Sequence, residues 1–185
     1  MTVDLANLRI VHYPDEVLQR RASPVEGVTE EVRAVARRMI DLMHEAEGIG
    51  LAAPQVGLSW RLFVCEVPPS DDRSLEADPI EATARPRVYI NPELFDPIRE
   101  IQPFDEGCLS LPGITGEVFR PEEISIRALG LDGEPFEERA SGLLARCWQH
   151  EFDHLDGVLI LNRMTHRSRM RNRGAIRAME RGELR

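Results

Sequence analysis

The run Gln149-His150-Glu151-Phe152-Asp153-His154 constrains this chain more than any other stretch, because it lies within a segment of helical periodicity. Residues four apart on a helix stand one above the other, so His150 and His154 offer two imidazoles to one point, an arrangement suited to a divalent metal. Glu151 falls on nearly the same face. It can reach a metal-bound water but is badly placed as a ligand, which is the general-base position of zinc hydrolases. A catalytic metal of this kind normally takes three protein ligands and keeps one position open, so a third ligand is required.

Two familiar sources of that ligand fail. In the pattern His-Glu-x-x-His-x-x-Gly-x-x-His the last position is Ile160, and residues 163 to 179 contain no acidic residue. A better source lies 42 residues before His150, at Cys108 in Glu106-Gly107-Cys108-Leu109-Ser110. Gly107 there describes a strand or turn end whose backbone can approach a metal closely. Cys147 shares the helix face and rivals Cys108. Three ligands from one short helix converge poorly on a tetrahedral point, however, so Cys147 is assigned to pocket lining or packing. Cys65 is expected in the core, and His12, His44 and His166 have no partner spacing.

A third block, Gly48-Ile49-Gly50-Leu51-Ala52-Ala53-Pro54-Gln55, completes a set of three. GIGLAAPQ, EGCLS and QHEFDH, in that order, resemble the peptide deformylase family over roughly residues 8 to 161. The resemblance implies hydrolysis of the formamide on the N-terminal formylmethionine of newly made polypeptides, with release of formate. It implies Cys108, His150 and His154 as metal ligands and Glu151 as the base. Gln55 and the Leu109 backbone N–H become donors to the formyl oxygen. Ile49, Gly50 and Gly107 border the substrate backbone, and Phe104, Leu143 and Cys147 contribute to a methionine pocket. One divalent ion per chain is implied, ferrous iron first, with zinc, nickel and cobalt as alternatives that the donor set also allows. Two other readings stay open at this point: a zinc peptidase, and a non-catalytic, metal-stabilised ribosome-binding module that would need a fourth ligand.

Size and charge narrow the classes. A chain of 185 residues suits one domain with a real core. Its 32 acidic residues against 23 basic ones, a net charge of −9, argue against general DNA or membrane binding. Every basic residue is arginine, which excludes a lysine Schiff base and a P-loop lysine together. Three widely spaced cysteines fit a reducing compartment, with cytoplasm the expectation. The start, Met1-Thr2-Val3-Asp4, lacks a signal-peptide pattern, and no stretch reaches the ~18 apolar residues of a membrane span.

Periodicity predicts a short helix over 14 to 22, then a longer one capped by Thr29, running to about Glu47 and ended by Gly48. Strands are expected at Trp60 to Val67, Val88 to Asn91, Leu94 to Ile101, Glu123 to Leu129 and Pro135 to Arg139, the last two joined around Asp132-Gly133. Residues 68 to 87, rich in proline and acid, are expected to form an exposed, mobile loop. Ser141 should cap the metal helix and Gly157 end it. The fold class is α+β, with mostly antiparallel sheets packed around a central metal-binding helix in a single domain. Residues 1–165 form the catalytic unit and 166–185 a basic tail or helix. From Arg163 onward, Arg163, Arg167, Arg169, Arg171, Arg173, Arg177, Arg181 and Arg185 face only Glu180 and Glu183. The tail is either a solvated, frayed helix or a contact for ribosomal RNA.

Overall fold

The computed structural model describes residues 3–183, so the opening Met1-Thr2 and the terminal Arg185 lie outside the described residues. Helix α1 (Glu30–Glu45) starts as expected at Thr29, whose side chain accepts from the Val32 N–H. Its end differs from expectation. The left-handed position is taken by Glu47 (φ 54°), and the Gly48 N–H closes on the Met43 carbonyl in a Schellman turn. Gly48 is needed for closeness instead, because a Cβ there would stand 2.8 Å from the Leu109 side chain. The short helix expected over 14 to 22 is one 3₁₀ segment, Glu16–Gln19, capped by Asp15.

Strands β1 (Gly50–Ala52), β2 (Leu62–Cys65), β3 (Arg87–Phe95), β6 (Glu123–Leu129) and β7 (Pro135–Ser141) form an antiparallel sheet in the order β1-β2-β3-β6-β7. Between β3 and β6 the chain makes a separate two-stranded sheet from β4 (Ile101–Gly107) and β5 (Thr115–Pro121). The strand expected at Leu94 to Ile101 is therefore two things, the end of β3 and the start of β4. β3 runs on past Asn91 because a bulge with Asn91 at φ 51° absorbs the irregularity of Asn91-Pro92. β5 was not expected at all.

Strand β2 is buried on both faces and thereby divides the core. Leu62 and Val64 pack against α1 with Val35, Met39 and Met43, whereas Phe63 and Cys65 join Tyr89, Ile126, Leu144 and Trp148 on the other side. Leu144 and Trp148 of the second group belong to helix α2 (Gly142–Leu155), the helix that carries His150 and His154. Phe63 stacks on Tyr89 at 4.7 Å between ring centroids, and Tyr89 meets Trp148 edge-on at 5.6 Å, contacts worth about 0.5–1.5 kcal/mol each beyond burial. The central helix thus lies between the five-stranded sheet and the β4–β5 hairpin, as the expected class requires.

Ser141 stands at the N-cap of α2 without a side-chain capping bond. Gly157 ends the helix in a second Schellman turn, with φ 72° and the Val158 N–H on the Asp153 carbonyl. Residues 68 to 79 are largely exposed, but 80 to 83 are not loop-like. Ile80 pairs with β7 at Ala140, and buried Thr83 bonds with Val67. Nor is the tail frayed over its described residues, although its arginine face is exposed. After α3 (Ile160–Arg163), helices α4 (His166–Arg171) and α5 (Arg173–Glu180) fold back, and Ile176 and Met179 are buried with Leu18, Leu111, Ile114 and Leu161. No helix among the described residues is long and apolar enough to cross a membrane.

Gly157 and Gly182 share φ 72°, yet a Cβ at Gly157 would meet the Gln19 backbone at 2.8 Å while one at Gly182 meets nothing. Gly182→Ala should cost about 1–2 kcal/mol at most, the penalty of the left-handed conformation alone. Gly157→Ala should lower stability clearly further, as read from urea-denaturation midpoints of the two variants.

Candidate active site

The ligand cluster forms where the β4–β5 hairpin meets helix α2. Cys108 follows the end of β4, and His150 and His154 sit one turn apart on α2. Cys108 Sγ lies 3.3 Å from His154 Nε2, which lies 3.3 Å from His150 Nε2, and all three donor atoms fall within 4.8 Å of one another. Bonds of about 2.0–2.1 Å to imidazole and about 2.3 Å to thiolate, set at tetrahedral angles, place donors roughly 3.3–3.6 Å apart. The group is therefore spaced to hold a divalent metal ion. Cys147 is not a fourth member, since its thiol is turned to the Ile49 carbonyl at 3.4 Å. One coordination position is left without a protein ligand among the described residues.

The histidines are oriented from behind. Glu106, on β4, meets His150 Nδ1 at 3.1 Å, which turns Nε2 toward the cluster. The same carboxylate accepts from Arg120 Nε and Nη2 at 2.7 and 2.9 Å and from Arg146 Nη1 at 2.7 Å. Burial works against the Glu106 charge, but hydrogen bonds from His150 and Arg120 outweigh it and hold the carboxyl well below the usual carboxylate range. Arg120 also reaches Asp153 at 2.9 Å, tying β5 to α2. Burial, with His150 and Arg120 alongside, keeps His154 well below the usual imidazole range and so neutral, the form a metal ligand needs.

Glu151 is buried, its Oε2 has no hydrogen-bond partner, and burial pushes its carboxyl up to about 7 against the pull of His150 and Arg120. Its carboxylate occupies the space a Cβ at residue 50 would need, so only glycine lets β1 pass this close. Gln55 is held in one sense. Its Oε1 accepts the Ala52 N–H at 2.8 Å, which leaves Nε2 facing Cys108 Sγ at 3.6 Å and Ser110 Oγ at 3.3 Å.

A cavity of about 450 Å³ opens onto this group. Every site residue expected from sequence lines it except His154, which lies behind in the cluster: Ile49, Gly50, Gln55, Phe104, Gly107, Cys108, Leu109, Leu143, Cys147, His150 and Glu151. Sequence reasoning gave no role to Glu106, Arg120, Arg146 or Asp153. A signal existed for Glu106, because it stands within the Cys108 motif and strand alternation puts it on the face shared with Phe104. None existed for Arg120, whose strand was not anticipated.

Replacing Glu106 by Gln leaves two arginines facing an amide and releases His150 Nδ1. Metal affinity should fall about 10–100-fold, measured by competition with a chromophoric chelator. An unchanged affinity in a folded variant would remove Glu106 from the support of the site.

The comparisons agree with this geometry. A family model described as polypeptide deformylase matches residues 7–170. The peptide deformylase of Pseudomonas aeruginosa is 45% identical over 170 residues, covering 91% of this chain and 94% of that protein. That of Chromohalobacter salexigens is 46% identical over 158 residues, covering 85% of this chain and 86% of the relative. Among solved structures, the peptide deformylase from Ehrlichia chaffeensis superposes with a TM-score of 0.85 at 35% identity, covering 96% of this chain and 99% of that one. With sequence, fold and the three-donor cluster in agreement, the chain belongs to the peptide deformylase family.

Proposed function

We propose that this chain hydrolyses the formamide at the N-terminal formylmethionine of newly made polypeptides, releasing formate and a free amine. The observation that carries the reading is Glu151: a buried carboxylate with an unpartnered oxygen, beside a three-donor cluster that keeps one position open, at the wall of a largely apolar cavity. Cys108, His150 and His154 would hold a divalent ion, which would supply Lewis acidity and lower the pKa of a water toward neutrality. Ferrous iron is our choice of physiological ion, by family resemblance, and the donor set also suits zinc, nickel or cobalt.

The chain's own groups then have separate tasks. Glu151 takes the proton from the attacking water as the C–O bond forms at the formyl carbon, and returns it to the nitrogen as the C–N bond breaks. Gln55 Nε2, fixed by the Ala52 contact, and the Leu109 N–H donate to the formyl oxygen as negative charge grows on it. Ile49, Gly50 and Gly107 flank the substrate backbone, and Phe104, Leu143 and Cys147 receive the methionine side chain. A reducing compartment, the cytoplasm, suits three free cysteines, one of them a ligand.

A partner for the tail follows from charge. Arg169, Arg173 and Arg177 line one groove on α4 and α5. We place ribosomal RNA against it, so that the site stands near emerging chains. Arg173→Glu with Arg177→Glu should weaken ribosome co-sedimentation at low salt and flatten its salt dependence, while leaving hydrolysis of a small formyl-peptide unchanged. Co-sedimentation identical to wild type would dispose of this contact.

The decisive test is formate release from formyl-Met-Ala together with metal analysis. Glu151→Ala should keep its metal and lose about 10²–10⁴-fold in turnover; loss of the metal as well would make Glu151 a ligand. Gln55→Leu should lower kcat by about 10²–10³ while affinity for the product Met-Ala barely changes. Cleavage of internal peptide bonds without formate release would overturn the assignment.

A further inference from the structure

Two free thiols meet where strand β2 faces helix α2, and neither belongs to the three-donor cluster. Cys65 is fully buried on β2, and Cys147 on α2 turns its thiol to the Ile49 carbonyl at 3.4 Å. Both belong to the core cluster between sheet and helix.

Backbone register brings them together. Gly50 on β1 is the partner of Cys65 on β2, and the Glu66 N–H donates to the Ile49 carbonyl at 2.9 Å. The bond beside the pair makes it the closer kind, in which the two opposed residues share no hydrogen bond of their own. Positions paired in this way project to one face of the sheet, with Cβ atoms about 4.5–5.5 Å apart. The place of a Cβ at residue 50 is 2.8 Å from Cys147 Sγ. Because that residue is glycine, no side chain from β1 stands between the two thiols. The neighbouring Cys65 thiol, and then burial, push the Cys147 thiol well up, and the Glu151 carboxylate adds to the effect.

These surroundings decide what the pair can do. Charged products, a thiolate or a metal dithiolate, are disfavoured beside a carboxylate in an apolar interior. A disulfide carries no charge. We infer that Cys65 and Cys147 form a site of reversible oxidation, closing a disulfide that ties α2 to β2. The oxidant is of the hydroperoxide class and reaches Cys147 through the cavity that this residue lines. The Cys147 sulfur attacks the terminal peroxide oxygen, the O–O bond breaks, and the thiol proton leaves with the departing alcohol or water, giving a sulfenic acid. The Cys65 sulfur then attacks the Cys147 sulfur, the S–O bond breaks, and water leaves with the Cys65 proton. The two electrons lost by the sulfurs are those the peroxide gains. A low thiolate content slows the first step, so the pair stays reduced in a reducing compartment and links under peroxide load.

The test treats the zinc-loaded protein, whose ion is redox-inert and engages Cys108, with hydrogen peroxide. The chain is then unfolded in chelator, blocked with iodoacetamide and mapped with trypsin without reductant. Cleavage at arginine puts the three cysteines on separate peptides, 62–73, 100–127 and 147–163. A species joining 62–73 to 147–163 should appear, free thiols should fall from three to one, and dithiothreitol should restore all three. In Cys65→Val the joined species should be absent, and dimedone should trap the sulfenic acid on 147–163. Loss of thiols without that species, or a link that joins 100–127 instead, overturns the inference. So does an unchanged thiol content at a peroxide dose that oxidises the unfolded chain. Both readouts come from wild type, and formate release enters neither.

Discussion

One buried carboxylate links most of what positions this site. Glu106 takes two arginines and a histidine at hydrogen-bond distance, with donors from β5 and from two places on α2. A lone buried carboxylate would be protonated, and two lone buried guanidiniums would be strongly destabilising. Each is tolerable only in the presence of the others, so hairpin and helix must meet at one register. That register fixes the His150 ring and brings Cys108, two residues beyond Glu106 and just past the end of β4, to the histidines.

The second requirement is closeness. β1 runs past α2 so tightly that the Glu151 carboxylate and the Cys147 thiol fill the place of a side chain at residue 50. Gly48 meets Leu109 in the same manner from the other side of the cleft. The glycine block is thus explained by what lies across from it, and only Glu47 and Gly57 nearby show the left-handed backbone usually given as the reason for glycine. The sheet that carries β1 can press against α2 because β2 is apolar on both faces and needs no polar side.

These causes explain which parts were legible in the sequence. Ligand spacing on α2 follows from helix geometry, and the hairpin at Asp132-Gly133 from turn chemistry, so both could be read locally. Strand β5 could not. Its inward positions are Gly116, Val118 and Arg120, and neither glycine nor arginine registers as a core residue until its partners are known. Ile80 and Thr83 were lost in a run of proline and acid, although their pairing with β7 and Val67 decides where the loop ends. In the tail, Ile176 and Met179 are outnumbered by arginines in sequence, and only the apolar surface from Leu111 and Ile114 gives them a place. Glu106 was on view within its motif, but its task depends on Arg120 and Arg146, 14 and 40 residues away.

The β4–β5 hairpin is an excursion between β3 and β6, and those two strands pair directly without it. No strand ladder joins its two strands to the larger sheet. The hairpin is held instead by the ionic cluster, by the apolar contacts of Ile114 and Val118, and by the Thr165 N–H on the Glu117 carbonyl. Attachment without a shared strand ladder is the condition under which a hairpin can open as a unit of its own, below the free energy of global unfolding. The thiol is delivered by this separable unit and the imidazoles by the rigid core. Opening of the hairpin alone would split the donor set in two, so the site could be lost without global unfolding.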